Sequence, residues 1–304
     1  MGNVYSRKLI EGVDVPAVIH NGSYFYIRMG VYEDGTVSCW HKSDIHQFRD
    51  DLRKGWVVPS VPDGENISVH GLGEFKIRSG RWLFQEQSFY DHILDVVKTM
   101  NPEMSNIYRT SSREVEKWKK HRVSWSGTPT PCKLAGKFGY QLMDGSQVHV
   151  FYRKKDGLCL TELNFYADKT LQIEGEEAYY SLEEVKSMFE SGVFTTGPSG
   201  EEWVRIDGLG ETLLAPGCYQ VKPMEKYREI EEELKGLAGE EDAHEKCLKA
   251  YHQYLVEPGE WSREQLRKAY EAVPEHERIY LGDMDSKDSD FRRILYHPDQ
   301  KREV

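Results

Sequence analysis

The feature that most constrains this chain is that it repeats itself. Val31-Tyr32-Glu33-Asp34-Gly35-Thr36-Val37 returns as Phe165-Tyr166-Ala167-Asp168-Lys169-Thr170-Leu171. Lys54-Gly55-Trp56-Val57 returns as Ser191-Gly192-Val193-Phe194, and Ile67-Ser68-Val69-His70-Gly71-Leu72-Gly73-Glu74 as Val204-Arg205-Ile206-Asp207-Gly208-Leu209-Gly210-Glu211. Tyr32 to Tyr166 is a step of 134, and Gly55 to Gly192 and Gly71 to Gly208 are steps of 137. Matches that keep their order and spacing this well mark a duplicated structural unit.

Both copies read alike. Alternating apolar and aromatic residues predict strands at Tyr24–Met29, Thr36–Trp40, Val148–Arg153 and Leu158–Phe165, with Asn-Gly and Asp-Gly turns between them. A short helix follows in each. Ser43 is the expected N-cap of the first, with Ile45, Phe48 and Leu52 on one face; Ser181 to Glu184 is a capping box for the second. Gly55 and Gly192 are placed to end these helices, and long helices at Glu86–Met100 and Met224–Leu237 close the copies. Beyond Gly239 the period is helical at Glu240–Val256 and Ser262–Ala272, with a third segment over Pro274–Tyr296.

The expected architecture is therefore α+β: two tandem copies of a small antiparallel sheet with packed helices, then a helical C-terminal region. The boundaries fall at 1–100 for the first copy, 101–138 for a linker with a charged helix, 139–238 for the second copy and 239–304 for the helical region. Duplication predicts approximate two-fold packing with a cleft at the junction. Positions that differ between matched sites would specialise it, which singles out His70 against Asp207 and Trp56 against Val193 as binding candidates.

Composition limits the function classes. The 304 residues carry a formal charge of −11, which argues against a general nucleic-acid binder. The basic stretch around Trp118 and Trp125 has the chemistry to grip RNA or single-stranded DNA, but with an acidic chain a solvated helix with one apolar stripe is the plainer reading. No apolar run approaches the ~18 residues of a membrane span, and the N-terminus has no secretory h-region, so a cytoplasmic, bacterial protein is expected. Met1-Gly2-Asn3-Val4-Tyr5-Ser6 matches a myristoylation pattern, which matters only in a eukaryotic host. The five cysteines are scattered, which points to buried, reduced thiols.

Catalytic signatures are missing. Each Gly-Leu-Gly-Glu turn lacks the sixth-position glycine of a dinucleotide loop, with Lys76 and Leu213 there instead, and no phosphate loop, nucleophile elbow or zinc-protease motif occurs. His244 and His252 share a helix but stand eight residues apart, about 12 Å, too far for one metal. Asp283, Asp285 and Asp288 belong to the densest carboxylate run and are the metal candidates, with Mg²⁺ or Ca²⁺ as the ions; a capped turn before a helix is the plainer reading.

The leading expectation is a non-catalytic binding protein, without cofactor. It would engage a protein partner through an acidic surface or the inter-repeat cleft, as immunity proteins do by composition. A metal-dependent hydrolase or nucleotide-processing enzyme using Asp283–Asp290, and a small-ligand sensor, are the alternatives.

Overall fold

The structure, a computed structural model, describes residues 10–111, 131–135, 141–282 and 287–300. The first copy comprises β1 (Gly12–His20), β2 (Tyr24–Tyr32), β3 (Thr36–Ser38), β4 (Lys42–Asp44), α1 (Ile45–Arg53), β5 (Val57–Val58), β6 (Asn66–Val69), β7 (Gly73–Trp82) and α2 (Glu86–Met100). After β8 (Cys132–Ala135), the same order recurs: β9 (Gln141–Lys154), β10 (Gly157–Tyr166), β11 (Thr170–Ile173), β12 (Tyr179–Ser181), α3 (Leu182–Glu190), β13 (Phe194–Thr195), β14 (Glu202–Ile206), β15 (Gly210–Gln220) and α4 (Pro223–Leu237). The C-terminal region adds α5 (Ala243–Val256), α6 (Glu260–Ala272), a 3₁₀ turn (Glu275–Tyr280) and α7 (Ser289–Tyr296).

The duplication extends to register. In the first copy Val31 pairs with Val37, and Ile67 with Phe75; in the second Phe165 pairs with Leu171, and Val204 with Thr212. Each copy is antiparallel except for one parallel pair, Tyr24 with Ile67 and Leu158 with Val204. The offset changes from 134 to 137 at one place. Ser38 pairs with Lys42 across a loop of three residues, whereas Gln172 pairs with Tyr179 across six. From there onward the step is constant, so that α1 and α3, and α2 and α4, begin and end at matched positions.

Turn chemistry explains the local matches. Gly71 and Gly208 hold φ of 66° and 81°, a region costly for residues with a Cβ, and each lets the chain reverse between paired strands. Leu72 and Leu209 follow them and are fully buried. The Gly-Leu-Gly elements are hairpin turns, not phosphate loops. One match breaks the pattern: Gly35 has φ of 74°, and Lys169 occupies its counterpart at 66°.

Several local expectations are corrected. Asp44, not Ser43, caps α1, because its Oδ1 accepts from the His46 and Gln47 amides at 2.9 and 3.0 Å. Ser43 lies in β4 and is buried. Helix α6 begins at Glu260, two residues before Ser262, whose Oγ bonds back to Gly259 and Glu257. Strand β1 is a further element that the sequence pattern does not announce: Pro16 is a poor strand former, and Val15 to Ile19 are buried without alternation. Cys39, Cys159 and Cys247 are buried, but Cys132 and Cys218 are exposed.

The contacts divide the chain into two units that do not follow the copies. One comprises residues 1–130, 154–160 and 197–219, with strand order β10-β14-β15-β7-β6-β2-β1-β5 and a core including Ile19, Phe48, Phe75 and Phe89. The start of the inter-copy segment is fastened within this unit: the Tyr108 amide donates to Asp34 O and the Thr110 amide to Asp44 Oδ2. The other comprises residues 131–153, 161–196 and 220–304. Its main core joins Phe165, Leu171, Phe189, Phe194 and Ile230, and a second cluster around Cys247, Leu266, Tyr270 and Phe291 joins the C-terminal helices. Burial of each such side chain contributes about 1.5–3 kcal/mol. No described helix is long and apolar enough to cross a membrane.

Candidate functional site

Helix α4 carries two adjoining buried stripes. Tyr227, Ile230 and Leu234 recur at three- and four-residue spacing and pack into the main core of their unit. Beside them, at the same spacing, lie Lys226, Glu229 and Glu233. Lys226 is 1% exposed and Glu229 7% exposed, values that ionised side chains reach only when paired. The step of 137 sets these three opposite Phe89, His92 and Val96 of α2.

The pairing is dense. Lys226 Nζ donates to Glu229 Oε1 at 2.6 Å, and His276 Nε2 meets Glu229 Oε2 from the 3₁₀ turn. The same imidazole nitrogen stands 3.4 Å from Glu277 Oε1. Ser146 Oγ, on β9, donates to Glu233 Oε2 at 2.8 Å. Burial alone would raise the Glu229 carboxyl, but His276 and Lys226 hold it below the usual range. At Glu233 and Glu277 the balance is reversed: burial, reinforced by repulsion from Glu229, outweighs Ser146 and Lys226 at the first and His276 and Lys226 at the second, and both carboxyls are pushed up.

The C-terminal region is fastened to α4 around this cluster. The Glu275 amide donates to Glu225 Oε2 at 3.0 Å, and Arg228 Nη2 donates to Ala272 O at the end of α6. Glu232 accepts the first amide of α5, from Ala243 at 2.8 Å. These contacts frame a cavity of about 280 Å³ lined by Glu229, Glu232, Glu233, Asp242, His244 and Glu277, with Val273 and Tyr280 supplying apolar wall. Its side chains favour a cation, since five of the six polar residues are acids.

The sequence candidates lie elsewhere. His70 and Asp207 are exposed in the β6–β7 and β14–β15 turns, and Asp207 is paired with Arg205 at 2.8 Å. Trp56 is half-buried beside Trp40 and His41, at ring separations of 6.1 and 6.2 Å. Asp51 accepts from both Ser43 and His41, so this Ser, His and Asp set lacks the serine-to-histidine link of a nucleophilic triad. Asp288 occupies the N-cap of α7 yet makes no capping bond; it accepts instead from Tyr270 OH at 2.6 Å. Trp118 with the charged helix of the linker, Asp283, Asp285 and the N-terminal myristoylation pattern lie outside the described residues.

Lys226, Glu229, Glu233, His276 and Glu277 escaped the sequence reading. One signal was present: carrying the 137-residue step into the closing helices replaces apolar or aromatic residues with charges at core-spaced positions.

Fold and site together define a duplicated α+β scaffold with an acidic pocket built where its second copy meets a helical C-terminal region. The chain belongs to the family described as "Domain of unknown function (DUF7638)", which matches it twice, at residues 2–104 and 135–241. A second description, "Domain of unknown function (DUF7639)", matches residues 242–303. The pocket takes side chains from both sides of residue 241. No curated protein and no solved structure shows significant similarity to the chain.

Proposed function

We propose that this is a binding protein that holds a cationic group in the acidic pocket of its second copy. The observation that carries the reading is the cavity wall: Glu229, Glu232, Glu233, Asp242 and Glu277 converge on about 280 Å³, room for a small ligand group. Burying carboxylates without full compensation is costly, and the raised Glu233 and Glu277 carboxyls express that cost. A bound cation relieves it.

The test is thermal unfolding of the full chain with spermidine as the probe, at constant ionic strength. At about a hundredfold excess over Kd, binding raises Tm by about 5–10 °C. Glu233→Gln should halve the shift or abolish it. An unchanged Tm in the wild type would contradict the proposal.

A protein partner is the second reading. Leu255, Val256 and Trp261 flank the α5–α6 turn and are 53%, 80% and 65% exposed, a grouping suited to an interface. Analytical ultracentrifugation of Trp261→Ser with a captured partner, against wild type, checks it.

A further inference from the structure

Among the described residues, one group of side chains has metal-ligand composition and spacing. Single ligand atoms from Glu229, His276 and Glu277 all lie within 4.8 Å of one another. The His276 side chain is 5% exposed, and its Nε2 is aimed between the two carboxylates. Its other nitrogen, Nδ1, is buried without a hydrogen-bond partner, so the ring's polar contacts run wholly through Nε2. The Nε2 to Glu277 separation of 3.4 Å is close to the edge of a tetrahedron with bonds of about 2.0–2.1 Å, roughly 3.3 Å, whereas Nε2 and Glu229 Oε2 are in direct hydrogen-bond contact at 2.5 Å and must part to admit an ion.

We propose that Glu229, His276 and Glu277 form a site for a divalent transition-metal ion of the Zn²⁺ type, with an open coordination position facing the acidic cavity. The proposal rests on the cation-binding reading and names the ion that the floor of the pocket takes. Three features support it.

The first is charge. Two carboxylates, Glu229 and Glu277, face Nε2, and Glu233 lines the same cavity, against the single ammonium of Lys226. A dication between them offsets the mutual repulsion of these carboxylates.

The second is ligand type. Two carboxylates with an imidazole suit a borderline ion, whereas Mg²⁺ and Ca²⁺ take oxygen ligands.

The third is orientation. Lys226 grips Oε1 of Glu229, which leaves Oε2 turned to the imidazole and fixes the carboxylate as a second-layer contact of a ligand should. Glu229 and Glu277 also line the cavity, so the fourth position opens onto space that water or a ligand group can enter. Lys226 is a positioning residue in this arrangement.

The experiment titrates metal-free, full-length protein with CoCl₂ and follows the visible d–d absorption, which is intense for tetrahedral Co²⁺ and reports the ligand set independently of any activity. One equivalent should bind, ZnCl₂ should displace it, and MgCl₂ at the same concentration should not. His276→Ala should abolish the bands with far-ultraviolet circular dichroism unchanged. Glu277 is partly exposed, so Glu277→Gln is the variant that keeps the fold, and it should weaken Co²⁺ at least about tenfold. Asp283→Asn with Asp285→Asn should leave the titration unaltered. Absence of stoichiometric Co²⁺ and Zn²⁺ while spermidine still raises Tm overturns the metal site alone. Failure of the metals and spermidine together overturns the pocket reading as well. Bands that survive His276→Ala, or disappear with the Asp283 and Asp285 pair, place the ion elsewhere and also overturn the proposal.

Discussion

Helices α2 and α4 have the same length and occupy the same place in their copies, yet one stripe of each has taken opposite chemistry. In α2 the stripe is Phe89, His92 and Val96. Phe89 is fully buried, its ring 5.5 Å from Phe84 and 6.4 Å from Phe48, and His92 stacks on Phe84 at 4.8 Å. In α4 the counterparts are Lys226, Glu229 and Glu233, closed over by His276 and Glu277. The neighbouring apolar stripe is retained in both, as Tyr90, Ile93 and Val97 and as Tyr227, Ile230 and Leu234. Folding requires that second stripe. The first is apolar and aromatic in α2 but charged in α4, where a cavity lined with acids lies beside it. Buried ion pairs are weak contributors to stability, because desolvation offsets their attraction. Their presence in only one of two equivalent helices fits binding better than support.

The comparison can be broken most forcibly by moving the charge. Phe89→Lys would bury an ammonium among aromatic rings with the loss of a packed phenyl, and should cost about 4 kcal/mol or more in urea denaturation. Lys226→Met should cost about 3–5 kcal/mol, because Glu229 is left buried without its cation. Replacing Lys226 by Met together with Glu229 and His276 by Leu should instead return stability to within about 2 kcal/mol of wild type, or exceed it.

The helix caps give a smaller contrast. Asp44 accepts from the amides of His46, Gln47 and Thr110, whereas Ser181 accepts from Glu184 alone, at 3.3 Å. Asp44→Ala should cost about 2 kcal/mol and Ser181→Ala about 1 kcal/mol. The two also differ with pH. Burial favours the neutral Asp44 carboxyl, but the amides of Gln47, Thr110 and His46 outweigh it and hold the group below its ordinary 3.8. A depressed carboxyl stabilises the folded state fully above the unfolded value and loses that contribution as pH falls through the folded one. Denaturation curves of Asp44→Ala and wild type should therefore converge below pH 3.8, whereas the Ser181→Ala difference begins to shrink below pH 4.5, as the Glu184 carboxylate that accepts from the Ser181 hydroxyl is protonated.

The smallest effect belongs to the Gly35 and Lys169 pair. Lys169→Gly should relieve a left-handed backbone and gain at most about 1 kcal/mol by thermal melt, part of it returned as unfolded-chain entropy.

How far the sequence carried this picture depends on range. The duplication was legible because turn glycines and strand alternation are local, and the change of step is absorbed by one loop, 39–41 against 173–178. Asp44 against Ser43 shows the limit of such reading. Either residue caps a helix, and only the chain's path from β4 into α1, which brings Asp44 Oδ1 to the His46 and Gln47 amides, decides between them. The pocket was not legible from motifs. Ser146 and Glu233 are 87 residues apart and Glu229 and His276 are 47 apart, whereas Asp283, Asp285 and Asp288 stand close together in the sequence. Convergence of charge required the fold.

The central claim is that the second copy has been specialised at one helix stripe, and one measurement addresses it directly. Lys226, Glu229 and Glu233 are replaced together by the first copy's residues, Phe, His and Val, and thermal unfolding is followed with and without spermidine. The account predicts a chain that still melts cooperatively and whose Tm no longer responds to the probe. A Tm shift equal to that of the wild type would contradict it.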